Sequence, residues 1–88
     1  MRRPAEWMQM PTDDRILECL DTGLRLTPAV IGENIDRSRE QVSRRLKELT
    51  EQGLTIRPKR GYYEITDSGR AYLAGDLDPD EIEQFDDS

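Results

Sequence analysis

The sequence contains no histidine, a single cysteine and no long apolar run. Without histidine, the lone Cys19 provides neither the Cys/His spacing of a zinc site nor an internal disulfide. The same absence removes the most common general base of enzymes, so we expect no enzyme, no metal and no cofactor. No stretch approaches the roughly 20 apolar residues of a membrane-spanning helix, and the N-terminus lacks the apolar core of a signal peptide. The expectation is therefore a cytoplasmic protein.

Charge is distributed unevenly along this chain, whose net charge is −6. Residues 37–61 carry eight basic and three acidic side chains, which gives them a net charge of +5. Residues 76–88, in contrast, carry seven acidic side chains and no basic one. One contiguous basic segment in an otherwise acidic chain indicates a local surface for a nucleic acid.

Residues 38–53 predict a capped amphipathic helix. Its apolar positions recur at the spacing of one helical face: Val42, Leu46 and Leu49. Ser38 occupies the N-cap position, and Gln41 three residues later completes a capping box. Gly53 supplies the left-handed residue that commonly ends a helix.

The opposite face of this helix is polar and mostly cationic, and it contains Glu40, Ser43, Arg44 and Lys47, with Arg39 at its edge. Forked and flexible cations in the first two turns of an exposed helix suit the DNA major groove. The alternative is a solvated amphipathic helix with i, i+4 charge pairs such as Arg44 with Glu48. The neighbouring segments favour the first interpretation.

The residues before this helix predict an arm and a first helix. Residues 1–11, interrupted by two prolines, indicate an irregular arm whose apolar side chains pack on the domain or on a second subunit. Thr12 is expected to cap the first helix, with two aspartates in its first turn. The buried stripe of that helix is predicted to be Ile16, Leu17, Cys19 and Leu20.

A second helix is predicted at about residues 28–35, after a short strand at residues 24–26. Thr27 is its predicted cap and Pro28 its first residue. The side chains expected to point inward are Val30, Ile31 and Ile35. A short helix, a tight turn and a capped longer helix are typical of a helix-turn-helix.

After Gly53 the sequence alternates with the period of a strand. Residues 54–56 and 62–65 predict a β-hairpin, and its turn at residues 57–61 carries three cations: Arg57, Lys59 and Arg60. A cationic hairpin directly after an exposed basic helix is typical of a wing, and a solvated charged loop is the alternative. Thr66 is predicted to cap a last helix at about residues 67–75.

These elements divide the chain into three parts. The predicted parts are an arm at residues 1–11, a compact domain at residues 12–75 and an acidic tail at residues 76–88. Within the tail, residues 80–85 are expected to start a short helix before a disordered end.

This order of elements resembles a winged helix-turn-helix domain, an α+β fold with a three-helix core, a two- or three-stranded β-wing and a C-terminal helix. The segment LTPAVIGENIDRSREQVSRRLKELTEQGL resembles the stretch shared by MarR-like and ArsR-like bacterial and archaeal regulators. GYYEITDSGRAYLAGDLD resembles their second wing strand and following helix. Trp7-Met8, followed closely by TDDRIL, is similar to the phage phi-H repressor-like regulators of halophilic archaea.

Two positions depart from the common pattern of these regulators. Gly32 stands where alanine is usual in the second helix, and we expect it to cost about 1 kcal/mol of helix stability. Asp36 stands where glycine is usual in the turn, and aspartate tolerates the left-handed conformation well. The composition resembles that of proteins adapted to molar salt, since only two lysines accompany 11 arginines and 10 aspartates. An acidic regulator from an ordinary cytoplasm is the alternative.

The resemblance implies a sequence-specific DNA-binding transcriptional regulator, a repressor that reads the major groove with helix 38–52 and the backbone or minor groove with wing 57–61. Arg44 is the expected base-reading residue, because a guanidinium forks onto guanine O6 and N7. Arg37 and Ser38 are expected to hold phosphate. The complete set of expected DNA contacts is Arg37, Ser38, Arg39, Ser43, Arg44, Lys47, Arg57, Lys59 and Arg60.

The expected partner is double-stranded DNA, bound by a homodimer. Dimerisation is predicted because the apolar arm and the series Leu77, Ile82 and Phe85 lie outside the winged-helix core. The motifs define no small-molecule effector site. A winged helix that serves as a protein–protein interaction module is the alternative function, and the acidic ends suit it. The eight cations within residues 37–61 favour DNA.

Overall fold

The computed structural model describes residues 2–77. They form, in chain order, α1 (Thr12–Leu20), α2 (Pro28–Ile35), α3 (Arg39–Glu51), β1 (Thr55–Lys59), β2 (Tyr62–Ile65) and α4 (Asp67–Ala74). The first three helices contact one another, β1 pairs antiparallel with β2 and packs on α3, and α4 packs against α1 and β2. This is the α+β winged helix-turn-helix architecture that the sequence predicted, and the prediction is confirmed.

The core takes apolar side chains from all four helices and from the hairpin. In α1, the predicted stripe residues Ile16, Leu17 and Leu20 are fully buried. Cys19 is half-buried and packs against the core, and this burial raises the pKa of its thiol. The remaining buried apolar side chains are Ala5, Met8, Ile31, Ile35, Val42, Leu46, Leu49, Leu54, Ile65, Tyr72 and Leu77.

The N-terminal arm packs on the chain's own core. Ala5 and Met8 are buried there. Arg2 fixes the start of the arm, because its Nε donates to the carbonyl oxygen of Leu73 at 3.1 Å and its Nη1 lies 2.8 Å from Oε2 of Glu18. Of the two locations predicted for the apolar arm, the domain and a second subunit, Met8 occupies the first.

The predicted cap of α1 is wrong. Thr12 is the first residue of the helix and is buried, while Pro11 occupies the N-cap position without a side-chain hydrogen bond. A threonine cap needs extended backbone, whereas the chain is already helical at Thr12. The Asp13 carboxylate accepts a hydrogen bond from the backbone N–H of Gln9 at 3.0 Å and so closes the turn before the helix.

The predicted bounds of α2 are confirmed, but one of its inward residues is wrong. Oγ1 of Thr27 accepts from the N–H of Val30 at 3.2 Å, and Pro28 is the first helical residue. Ile31 and Ile35 are buried, whereas Val30 is 41% exposed. An eight-residue helix turns one narrow stripe to the core, and Val30 lies about 100° around the axis from Ile31, outside that stripe.

The turn between α2 and α3 depends on Asp36 and Gly32. Asp36 adopts φ 62° and ψ 50°, the left-handed conformation expected for it. A Cβ at Gly32 would lie 2.5 Å from the carbonyl oxygen of Arg37, far inside van der Waals contact. We expected glycine at position 32 to make the protein less stable than alanine would. This expectation is wrong, because the turn leaves no room for a side chain there.

Helix α3 begins and ends as predicted. Ser38 has extended backbone, and its Oγ accepts from the N–H of Gln41 at 3.1 Å. Gly53 follows the helix with a left-handed φ of 81°. The predicted apolar stripe is fully buried and consists of Val42, Leu46 and Leu49.

The first strand of the wing is longer than predicted. It extends from Thr55 to Lys59, so Arg57 lies in the strand and only Arg60 and Gly61 form the turn. The predicted turn at residues 57–61 is therefore wrong in length, because the strand continues past Ile56 and pairs again at Lys59 with Tyr62.

A β-bulge bends the wing. The irregularity lies between two pairs, Ile56 with Glu64 and Lys59 with Tyr62, and β1 has the additional residue. Pro58, which has no N–H to donate to a partner strand, lies within the bulge. The strand predicted at residues 24–26 is reduced to one bridge, in which Leu26 and Tyr63 exchange two backbone hydrogen bonds of 2.9 Å.

Helix α4 is tied to the end of α3 by the predicted cap Thr66. Its Oγ1 accepts from the N–H of Gly69 at 3.1 Å and donates to the carbonyl oxygen of Gly53 at 2.7 Å. The helix ends at Ala74, one residue earlier than predicted. Leu77 was predicted to lie outside the winged-helix core, and this prediction is wrong, because Leu77 is buried in the core. The predicted helix at residues 80–85, and dimerisation through Ile82 and Phe85, lie outside the described residues.

Candidate nucleic-acid interface

One face of α3 is directed to solvent. It comprises Arg39, Glu40, Ser43, Arg44 and Lys47, a set that we call the α3 outward face; Ser43 is half-buried and the others are exposed. None of the ion pairs within residues 2–77 includes a cation of this face. Arg44 instead donates from Nε to the carbonyl oxygen of Glu40 at 3.5 Å. The charge pair with Glu48, given above as an example for the solvated-helix alternative, is not among the ion pairs within residues 2–77.

The starts of α2 and α3 border an open groove of about 870 Å³. Residues Thr27–Ala29 form one side, and Arg39, Glu40, Ser43 and Arg44 of the α3 outward face form the other. The sequence analysis did not place Thr27–Ala29 in the site. The Thr-Pro cap was the available signal, because a helix N-terminus presents N–H groups that favour a nearby anion.

Arg37 and Ser38 lie at the N-terminus of α3, beside a neighbouring groove of about 530 Å³. Arg37 is half-buried, and its Nη1 donates to the carbonyl oxygen of Asp36 at 3.0 Å. Ser38 is exposed, and because its Oγ accepts the cap hydrogen bond from Gln41, the hydroxyl proton remains as a donor. Each side chain thus makes one hydrogen bond within the protein and still offers hydrogen-bond donors at the N-terminus of α3.

The three cations of the wing do not lie together. Arg57 lines a groove of about 450 Å³ between α3 and the hairpin, and Lys47 borders the same groove. Lys59 and Arg60 lie at the far end of the hairpin and are exposed. The Nζ atom of Lys59 is 5.1 Å from the ring centroid of Tyr62, within cation–π range. The structure therefore joins Arg57 to the α3 outward face and leaves the other two cations at the wing tip.

Arg45, a cation of the basic segment, turns inward. Its Nη2 and Nε donate to the two carboxylate oxygens of Asp13 at 2.8 and 2.9 Å, and the Asp13 side chain is fully buried. These hydrogen bonds raise the pKa of the Arg45 guanidinium. The sequence contained a signal for this, because position 45 follows Val42 by three residues and precedes Leu49 by four, at the edge of the buried stripe. Arg45 therefore belongs to the core side of α3.

The model of the winged helix-turn-helix phage repressor family matches residues 1–85. The chain belongs to this family.

Two relatives of this repressor-family chain come from a haloarchaeon and from a phage of a haloarchaeon. The repressor protein of Halobacterium phage phiH is 39% identical over 89 residues, covering 96% of this chain and 99% of that protein. The crystal structure of the PhiH1 repressor-like protein from Haloarcula marismortui matches with a TM-score of 0.76 and 39% identity, over 90% of this chain and 91% of that one. Their haloarchaeal origin fits the acidic, lysine-poor composition of this chain.

A solved structure from Pseudomonas aeruginosa PA01 matches with a TM-score of 0.67 over 88% of this chain and 57% of that one. Its 22% identity shows the fold alone. Family membership confirms the predicted function class: the chain is a DNA-binding transcriptional regulator of the repressor type. Within residues 2–77, no helix has the length and apolar character needed to cross a bilayer.

Proposed function

We propose that this chain represses transcription by inserting α3 into the major groove of duplex DNA while its wing lies on the neighbouring backbone or minor groove. The observation that carries the proposal is the continuous surface formed by the α3 outward face and Arg57, whose α3 cations form no ion pair within residues 2–77. The major groove admits an α-helix. Cations that neutralise phosphates release counterions, which supplies affinity.

Arg44 reads a guanine in this proposal. It is exposed in the second turn of α3, and the bond from its Nε to the carbonyl oxygen of Glu40 leaves Nη1 and Nη2 for the acceptors O6 and N7. Arg39, Ser43 and Lys47 flank it and contact bases or phosphates.

Arg37 and Ser38 hold a phosphate at the start of α3. The N–H groups of a helix N-terminus favour an anion, and the Ser38 hydroxyl adds a donor beside them. In the wing, Arg57 contacts the backbone next to α3, whereas Lys59 and Arg60 at the tip contact the backbone or the minor groove. These contacts set the orientation of the protein on the duplex.

The protein acts in this proposal as a homodimer in the cytoplasm, by binding alone and without an enzymatic step. Two-fold symmetric operators match dimeric helix-turn-helix proteins. Leu24 and Val30 support this, because they are 61% and 41% exposed and border a groove of about 640 Å³ beside α1 and α2. Such a surface gives a second copy apolar area to cover.

Two substitutions separate base reading from backbone anchoring. Arg44→Ala should lose about 1–3 kcal/mol of binding free energy on an operator selected from genomic fragments, and little on scrambled DNA. Arg60→Ala should weaken both duplexes by similar amounts and lower the slope of log K against log salt by about one unit. Fluorescence anisotropy titrations from low to molar salt measure both effects and the expected stoichiometry of two chains per operator.

Arg70→Ala is the matched control, because Arg70 is an exposed arginine of α4 that lines neither the grooves beside α3 nor the groove of Leu24 and Val30. Its affinities should equal those of the unmodified protein. Equal losses for Arg44→Ala on both duplexes would mean that Arg44 anchors the protein and does not read bases. No loss for either test variant would contradict the proposed interface and favour the protein–protein interaction module.

A further inference from the structure

The α3 outward face contains one carboxylate among its cations, that of Glu40. The side chain is exposed and lines the 870 Å³ groove together with Arg39, Ser43 and Arg44. None of the ion pairs within residues 2–77 includes Glu40. A negative charge therefore stands without a cationic partner on the surface that the proposed function turns toward polyanionic DNA.

Helix stability is the plainest explanation of a carboxylate at this position. Glu40 lies in the first turn of α3, where the helix dipole favours an anion. That benefit is available at any position of the first turn, however, including positions that do not face the groove. On a DNA-binding face the same charge repels phosphates and lowers general affinity. Helix stability alone therefore does not explain why the carboxylate lies on this face, and we look for a favourable contact that it makes with DNA.

We infer that Glu40 is a specificity-determining residue, whose carboxylate accepts a hydrogen bond from the N4 amino group of a cytosine in the major groove; the inference rests on the proposed function. A carboxylate offers only acceptors. Guanine and thymine present acceptors in the major groove, and adenine places its N7 acceptor beside its N6 donor. Cytosine alone presents a donor without an adjacent acceptor, so it is the base that Glu40 fits.

The position of Arg44 couples the two readings. Its Nε donates to the carbonyl oxygen of Glu40, so the guanidinium folds back along the helix toward the turn that carries the carboxylate. Four residues of helix rise about 6 Å, less than two base-pair steps of about 3.4 Å. The cytosine read by Glu40 should consequently lie within two base pairs of the guanine read by Arg44.

Glu40 also excludes other sequences. Opposite a base that offers no donor, the carboxylate loses its water and gains no hydrogen bond. This lowers the affinity for incorrect sites, so Glu40 contributes to specificity by weakening the binding of other sequences. Molar salt reduces the Debye length to about 3 Å and removes most long-range attraction to phosphate. Short-range matches such as this one then decide where the protein binds.

Selection from a random duplex library in molar potassium chloride tests the inference. The unmodified protein should enrich a site with a fixed cytosine in each half. Glu40→Gln should lose that cytosine, gain adenine there because glutamine pairs with N6 and N7, and keep the other positions. On the unmodified protein's site, Glu40→Gln should bind about tenfold more weakly, while its affinity for scrambled DNA rises.

Asp67→Asn is the matched control. Asp67 is an exposed carboxylate in the first turn of α4, so its substitution changes the charge and the helix-dipole interaction in the same way. It should leave the selected sequence unchanged. A consensus that Glu40→Gln leaves unchanged, or a change that Asp67→Asn reproduces, would overturn the inference alone. An unmodified protein that enriches no sequence would overturn the proposed function as well.

Discussion

Gly32 governs how closely the turn after α2 approaches the helix. A Cβ at this position would lie 2.5 Å from the carbonyl oxygen of Arg37, a backbone atom that has no rotamer by which to move away. Gly32→Ala should therefore lower the free energy of unfolding by about 1–2 kcal/mol, because overpacking exceeds the gain of about 1 kcal/mol in helix propensity. Urea unfolding followed by circular dichroism in molar salt measures the change.

Ala29→Gly is the control for that substitution, because Ala29 is exposed in the same helix. It should cost about 1 kcal/mol through propensity. Helix propensity alone predicts that Gly32→Ala stabilises the protein and that Ala29→Gly destabilises it. The close contact at Gly32 predicts instead that both substitutions lower the free energy of unfolding. A Gly32→Ala protein more stable than the unmodified one would contradict the steric explanation.

Single residues were predictable where their role depends on neighbours in the sequence. Thr27, Ser38 and Thr66 each accept a hydrogen bond from the N–H of the residue three positions later, because capping is decided within one turn. The same rule failed at Thr12, where the chain is already helical. Gly32 and Arg45 were not predictable in this way. The atoms that decide their roles belong to the folded-back turn and to α1, and no local rule specifies where the chain brings them together.

At the scale of elements, α3 is held to α1 by a buried ion pair. Both carboxylate oxygens of Asp13 accept from Arg45, whose side chain is 12% exposed, and Arg45 also donates to the carbonyl oxygen of Trp7 in the arm at 3.3 Å. Asp13→Asn leaves a buried guanidinium without its counter-charge and should lower the free energy of unfolding by about 3 kcal/mol. Urea unfolding in molar salt, with the m-value as a check on two-state behaviour, measures the loss.

Glu64→Gln provides the comparison for an exposed pair between elements. Glu64 lies 3.4 Å from Arg25, and the two side chains are 33% and 57% exposed. Its loss should stay below about 1 kcal/mol, because water and salt screen an exposed pair. Equal losses for Asp13→Asn and Glu64→Gln would mean that burial does not strengthen the link between α1 and α3.

The order of elements was predictable, but the shape of the wing was not. Period and caps located α2, α3 and α4 within one or two residues, whereas the first strand of the hairpin ends three residues later than predicted. Pro58 was interpreted as part of a turn, whereas it lies in a strand at a bulge. A proline is compatible with both environments, since it lacks the N–H that regular pairing would use. Only the pairing with β2 distinguishes them.

Across the whole molecule, the acidic surplus is not spread evenly over the folded surface. The acidic side chains of α1 and its C-cap each form an ion pair within the described residues: Asp13 with Arg45, Asp14 and Glu18 with Arg2, and Asp21 with Arg70. The seven carboxylates of residues 76–88 have no cation in their own segment. Self-repulsion in this chain is therefore concentrated at the C-terminal end.

Folding should consequently depend on salt. Salt weakens the exposed ion pairs, each worth at most about 1 kcal/mol, and also screens the repulsion among the C-terminal carboxylates. The buried pair of Asp13 and Arg45 is screened much less than the exposed ones. Because the net charge of −6 leaves more repulsion than attraction to be screened, the melting temperature should rise between low and molar potassium chloride. Differential scanning calorimetry measures the rise.

A second variant tests the source of that rise. Changing the six carboxylates of residues 78–88 to amides removes the concentrated charge and substitutes no residue of the described core. Its melting temperature at low salt should exceed that of the unmodified chain, and the two should converge in molar salt, where the Debye length is about 3 Å. If the melting temperature of the amide variant rises with salt as much as that of the unmodified chain, the C-terminal charge is not the cause. The salt would then act by strengthening the burial of apolar surface in general. A melting temperature that falls with salt would mean that the exposed ion pairs outweigh the repulsion, and adaptation to molar salt would then lack a physical basis in this chain.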